Sequence, residues 1–428
     1  MSVDYDLVVI GMSADARKLV SLAAQRKARV AWIWDQVHDT YLSIFQSHHI
    51  LQLLKNKVGN LSKADRLKLF AKQISSILHN FGQDEMLEIM LKNGVDVIIG
   101  ECKFQGKLQN SHILEVCDNA ISEASRAFSK RSLSSRVYAI AHDPPTPLRK
   151  IFGLDEHNYL TASQLVNLQD LPNSIAVLGN DPHACTIAQT LNFLGVQTRL
   201  ITDSSHILPN VDVTIARTLQ AQLEVEGVEI YTATQVTAVS KIEHDRSRIW
   251  LNNTAIECDR LLIPVASREF DYPRDRHIYQ CRDDQDIVKI LQQTLQTNFW
   301  KSPSIPQVPE IINVSTTPPL AQIGMTEALA KLKYGQPLYI LASYVENMGL
   351  CKIICDRQGQ ILGASMCGDR AKLIIEAIAI AMQGKIKIQN IAVLQELQIH
   401  EQWEQLHRNY HQQAKLKNWF TFRRDWNF

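Results

Sequence analysis

No cysteine occurs in the first 101 of the 428 residues, and none of the eight further on forms a C-x-x-C or C-x-x-x-x-C pair. That excludes a sequence-local redox dithiol. Cys351 and Cys355 come nearest, but CKIIC reads as one strand, where positions four apart share a face and lie too far apart for an unstrained disulfide. Buried free thiols of a reducing compartment follow. An excess of one charge is missing too: Lys and Arg total 45 against 44 Asp and Glu. No global field therefore draws the chain to nucleic acid or a membrane surface. Apolar runs fall short of the roughly 18 residues that span a bilayer. The start, MSVDYDLVVIG, carries two acids and enters a strand at once, unlike a secretory signal. The expectation is a cytoplasmic protein of two to four domains without a transmembrane segment, and no nucleic acid among its partners.

Glycine is scarce where a dinucleotide would need it. The chain is organised around Ser174 to Asp203, where an apolar run ends at Gly179, a polar turn leads into a helical segment, and Gly195 precedes a second apolar strand. This is a βαβ unit of the dinucleotide-binding kind. In place of G-x-G-x-x-G it has Gly179, Asp181 and Ala184. An aspartate at the second position puts a side chain and a negative charge where a diphosphate would sit, so NAD(P) is not expected. Residues 4 to 34 repeat the pattern with Gly11, Ser13 and Ala16. Serine is small and can donate to phosphate, so this turn is less damaged. The acid expected at the end of its second strand falls on Trp34, with Asp35 one residue later.

Between these units, KADRLKLFAKQISSIL has helical spacing, and VDVIIG and VYAIA read as buried strands. Pro144, Pro145 and Pro147 mark a connection between domains. Residues 227 to 266 alternate at period two, with Asn252-Asn253 as a turn signal. The proline-rich stretch Lys301 to Pro319 precedes a final domain of strands, a hairpin turn at Asp356 to Gly359, and the apolar helix AKLIIEAIAIAMQ. Such a helix suits a subunit interface or an internal core equally. His48 and His49 are neighbours on a helical stretch, about 100° apart, which argues against a shared metal. No metal site is expected.

Two degenerate βαβ units, a meander after each and an α+β tail resemble the flavoprotein disulfide reductases: glutathione, lipoamide and mercuric reductases. The likeness covers nearly the whole chain. It is carried by DLVVIGMSADARKLV, YLTASQLVNLQDLPNSIAVLG, LPNVDVTIARTLQAQLEVEGVEIYTATQVTAV and IYQCRDD, and by PPLAQIGMTEALAKLKYG followed by GQILGASMCGDRAKLIIEAIAIAM. It implies an α/β fold with two Rossmann-like βαβ domains and a C-terminal α+β dimerisation domain. The implied division is an FAD-binding-like domain of residues 1–148 and 262–300, an NAD(P)-binding-like domain of 149–261, a dimerisation domain of 301–405 and a tail of 406–428.

The same resemblance shows what has been lost. The family's redox cysteine pair falls on Thr40 and Phe45. Its two A-T-G stretches read Ala141-His142-Asp143 and Pro264-Val265-Ala266, and its G-D motif reads Arg282-Asp283. Its H-P-T-x-x-E reads His400-Glu401-Gln402-Trp403-Glu404-Gln405, so the orienting glutamate is gone. The resemblance leaves Gly11, Ser13, Ala16, Asp35, Ala141 and Asp283 as residues that could hold FAD, which stays open, and no catalytic residue. Disulfide reductase activity is expected to be absent. The implied reading is a homodimeric binding or regulatory protein; the alternative is an FAD-dependent oxidoreductase that passes electrons to an acceptor other than a disulfide. From Arg408 to Phe428 basic and aromatic residues interleave, a segment that either folds back or meets a protein partner.

Overall fold

The structure is a computed structural model describing residues 3–34, 61–80, 85–108, 111–118, 129–141, 151–154, 159–166, 168, 170–242, 246–252, 254–264, 272–295, 311–335, 338–345, 349–391, 404 and 408. The chain forms two compact units. One comprises Met1–Val177, Phe193–Val196 and Val236–Ile305; the other comprises Leu178–Asn192, Gln197–Gln235 and Pro306–Phe428. The segment 149–261 is therefore shared between them.

The first unit opens with β1 (Tyr5–Ile10), α1 (Ala14–Gln25) and β2 (Val30–Trp34). Helices α2 (Lys63–Asn80) and α3 (Glu85–Lys92) follow, then β3 (Asp96–Leu108), β4 (Ser111–Asp118) and β5 (Ser129–Ile140). Strands β3 and β5 each serve two sheets. Asp96 to Ile99 pair parallel with β2, whereas the rest of β3 pairs antiparallel with β4. Likewise Ser129 to Ser134 pair with β4, and Ser135 to Ile140 run parallel to β1. A parallel layer and a meander thus grow from the same two strands. The parallel layer is covered on both faces, which is why LVVI in β1 is continuously apolar rather than alternating. Leu7 and Val9 join the cluster beneath α1, while Val8 and Ile10 join the opposite one with Ile33, Leu114 and Tyr138. Each such side chain contributes about 1.5–3 kcal/mol by leaving water.

Further along come α4 (Ala162–Val166), β6 (Ser174–Leu178), α5 (Pro182–Phe193), β7 (Gln197–Ile201), α6 (Val213–Val225) and β8 (Glu229–Tyr231). The antiparallel set β9 (Ala238–Lys241), β10 (Ser247–Trp250) and β11 (Ala255–Cys258) lies in the first unit. Its predicted turn is there: Leu251 N donates to Thr254 O between β10 and β11. The first unit ends with β12 (Arg260–Leu262), parallel to β6, then β13 (Ile278–Gln280), parallel to β5, and α7 (Asp284–Leu295).

In the second unit a five-stranded antiparallel sheet has the order β14-β15-β18-β17-β16. Its strands are β14 (Ile311–Val314), β15 (Leu320–Gly324), β16 (Tyr339–Val345), β17 (Gly349–Cys355) and β18 (Ile361–Cys367), with α8 (Glu327–Tyr334) after β15 and α9 (Ala371–Gln383) after β18. The hairpin at Asp356 to Gly359 forms as predicted, with Asp356 Oδ1 accepting from Gln358 N and Gln360 N at 2.8 Å. The apolar helix α9 serves an internal core: Ile374, Ile375 and Ile378 pack with Ala321, Ile353 and Met366 of the sheet. Its other side leaves Leu373 and Ile380 exposed.

Candidate functional site

The turn after β1 gathers four of the predicted site residues. Gly11 has φ 115°, which its lack of a Cβ permits. Its N–H donates to Ile33 O at 3.1 Å, which pins the turn to β2. Ser13 is the N-cap of α1: its Oγ accepts from Ala16 N at 3.1 Å, and its own N–H reaches Ala141 O at 3.3 Å. Ala141 N in turn donates to Ile10 O at 2.7 Å. Ala16 is wholly buried, so its small size serves the contact of α1 with the sheet. Asp35 lies outside the described residues.

Two indoles stand beside this turn. Trp32 Nε1 donates to Gly11 O at 2.8 Å. Trp34, only 5% exposed, meets Trp32 edge-on with ring centroids 5.1 Å apart. Both indoles belong to one apolar cluster with Met12 and Ala16. The sequence placed Trp34 at the strand end but carried no signal that its ring packs against the turn.

Asp283, the fifth described candidate, starts α7. Its Oδ1 accepts from Asp286 N at 2.9 Å, an N-cap bond, while Asp286 Oδ2 accepts from Arg282 N at 3.1 Å, one residue before the cap. Cys281 N donates to Ile140 O at 2.9 Å, so this helix start lies on the same carboxyl edge of the parallel layer as Ala141. The Cys281 thiol is pushed up to about 12, first by burial and then by the charges of Asp15, Asp286, Asp283 and Asp284. Lys18 of α1 pairs with Asp284.

In the second unit, Asp181 caps α5. Its Oδ1 accepts from Ala184 N at 2.9 Å and its carbonyl from Cys185 N. The carboxylate thus takes an N–H that a diphosphate would use. Its Oδ2 is buried with no hydrogen-bond partner among the described residues.

The sequence reading missed a buried charge cluster in the same unit. Gln322, Ser365 and Lys352 are register partners across β15, β18 and β17, forming a polar row on an otherwise apolar sheet. Lys352 Nζ donates to Asp212 Oδ1 at 2.7 Å and to Glu327 Oε2 at 2.6 Å. Asp212 caps α6 through Thr214 N, and its other oxygen accepts from Glu327 N at the start of α8. Gln322 Oε1 accepts from Asp212 N and from Ser365 Oγ. One aspartate, 1% exposed at its side chain, therefore holds two helix starts and a lysine. A lone charge inside the apolar strand CKIIC was the available clue.

All eight cysteines are free, and six of them are buried. Burial pushes Cys351 and Cys367 up to about 12, and burial followed by a nearby aspartate raises Cys185 and Cys355 as well. Among the described residues no group of three His, Cys, Asp or Glu is placed to hold a metal, and no helix is long and apolar enough to cross a membrane. Thr40, Phe45, His142, Asp143, His400 and Gln405 lie outside the described residues, as does the tail apart from Arg408. Glu404, one residue early for the family's orienting acid, pairs with Arg408 at 3.2 Å.

Comparison with known proteins joins these observations. Residues 5–268 match the family described as pyridine nucleotide-disulphide oxidoreductase, and residues 312–400 match that family's dimerisation domain. Over 441 aligned positions the chain is 23% identical to a mercuric reductase of Bacillus cereus, covering 89% of this chain and 67% of that protein. A glutathione reductase of Nostoc sp. is 22% identical over 453 positions, covering 90% and 94%. Among solved structures, LpdA from Mycobacterium tuberculosis superposes with a TM-score of 0.66 at 17% identity, covering 94% of this chain and 99% of that one. The HOCl-induced flavoprotein disulfide reductase RclA from Escherichia coli gives 0.64 at 19%, covering 90% and 94%. At such identities the structural likeness speaks for the fold.

Proposed function

The chain belongs to the pyridine nucleotide-disulphide oxidoreductase family, and on that premise we propose that it performs no dithiol-disulfide exchange and acts as a homodimeric binding or regulatory protein. The observation that carries this reading is the state of its thiols. Exchange needs a thiolate that is accessible and stabilised. No cysteine precedes Cys102, so the place of the family's redox pair has none, and the raised thiols are buried, where ionisation is opposed.

Other parts of the reading have their own support. The match to a dimerisation domain and the exposed Leu373 and Ile380 favour self-association. Asp181 as a helix cap disfavours NAD(P) in the second turn. We keep the four-part domain division, a cytoplasmic location and a protein partner for residues 408–428 as parts of the same proposal.

The test is turnover. Purified full-length protein is supplied with NADH or NADPH and, in separate reactions, with glutathione disulfide, lipoamide and mercuric ion. Rates equal to the blank are expected in all of them. Reduction of any one acceptor by the polypeptide overturns the proposal.

A further inference from the structure

We infer that the carboxyl edge of the parallel layer in the first unit does not hold FAD, because among the described residues the chain's own groups occupy three of the places where a flavin dinucleotide would be held. The inference stands apart from the thiol reading, since a flavin can be bound without a cysteine pair.

The adenosine end comes first. In dinucleotide-binding βαβ units an acid at the end of the second strand accepts hydrogen bonds from the ribose hydroxyls. Here that position is Trp34, whose indole has an N–H donor and no acceptor oxygen. The ring is buried, edge-on to Trp32, in one cluster with Met12 and Ala16 of the turn. Trp32 is fixed in turn by its bond to Gly11 O.

The diphosphate fares no better. An anion at a helix start is held by N–H groups left without a partner and by the positive end of the helix dipole. Ser13 Oγ already accepts from Ala16 N, and Asp15 adds a negative charge in the first turn of α1. Across from it α7 begins with Asp283, Asp284 and Asp286, and all four carboxylates act on the buried Cys281 thiol between them. Of the nearby cations, Lys18 is paired with Asp284 and Arg17 Nε donates to Met12 O at 3.3 Å; Arg282 is exposed. A diphosphate would bring further negative charge to an edge that is already acidic.

The ribityl contact is the third loss. Asp283 keeps its carboxylate, but Oδ1 accepts from Asp286 N, and Asp286 in turn accepts from Arg282 N. These three replacements lie on different elements, β2, α1 and α7, and each satisfies a protein group by a protein group. Among the described residues these three places are therefore closed by the protein itself, and stability is expected to be independent of flavin.

The wild-type full-length chain is the test, so no variant's folding enters. The protein is purified, incubated with excess FAD, desalted and examined near 450 nm, and its tryptophan fluorescence and Tm are followed in an FAD titration. Expected are a colourless protein, no saturable quenching and an unmoved Tm, because a ligand that binds only the native state must raise stability. Stoichiometric flavin after desalting, saturable quenching or a dose-dependent rise in Tm each overturns the inference. A yellow protein without turnover would do so while leaving the thiol reading intact.

Discussion

Two buried polar arrangements, one in each unit, began from similar materials and meet different demands. At the β1–α1 turn, Gly11, Ser13 and Ala141 are tied to one another's strands mainly by backbone hydrogen bonds, with one side-chain cap from Ser13 to Ala16 and one indole bond to Gly11 O. Around Lys352, by contrast, the ties run through side chains: Asp212, Glu327, Gln322 and Ser365 form one connected network between two helix starts and a sheet. The first pins a helix start to the edge of the parallel layer. The second holds the unit together. A fully paired buried network resists change because any single deletion leaves a charge without its partner in a low dielectric.

That contrast predicts an order of effects. Lys352→Met leaves the buried Asp212 without its cation, while the part-exposed Glu327 keeps Lys331, and is expected to destabilise the second unit by about 3–5 kcal/mol, read as a fall in the urea midpoint at unchanged slope. Ser13→Ala removes one cap and should cost about 1 kcal/mol. If the serine change proves the larger, the comparison is wrong in its main point. The smallest effect is on acid stability. Glu327 is held below the usual carboxylate range, first by its hydrogen bond to Lys331 and then by Lys352. Its folded pKa is depressed, so the unfolded chain takes up the proton first. The stabilisation is present above the ordinary glutamate value of about 4.3 and is lost as pH falls through the folded value. A pH series of urea midpoints should show this decline in the wild type and a shallower one in Lys331→Met, where the leading cause of the shift is removed. Equal slopes in the two proteins would assign the shift to something else.

Much of the architecture was readable beforehand because it rests on local rules. Apolar runs ending at Gly11 and Gly179 marked both βαβ starts, and Ser13 and Asp181 are residue types that cap helices wherever they occur. The Asp356 turn follows from an aspartate that accepts from the backbone just ahead of it. Less was readable where one strand serves two sheets. Nothing in the composition of β3 or β5 says that half of each pairs parallel and half antiparallel, since both halves need only be extended and partly buried. The candidate site was legible as a set of positions, but not as a set of contacts. Asp283 also caps its own helix through Oδ1, a use of the carboxylate that spacing alone does not reveal.

Sequence by itself determined the βαβ starts, the turns, the absence of any C-x-x-C or C-x-x-x-x-C spacing and the family, because each depends on residue types within a few positions of one another. Only the tertiary structure decided that Trp34 packs against the turn it follows, that four aspartates share one edge, and that Lys352 meets Asp212 from 140 positions away. Those outcomes depend on which surfaces the packed elements bring within a few ångströms, where burial makes each unpaired charge or unfilled space costly enough to select a single arrangement.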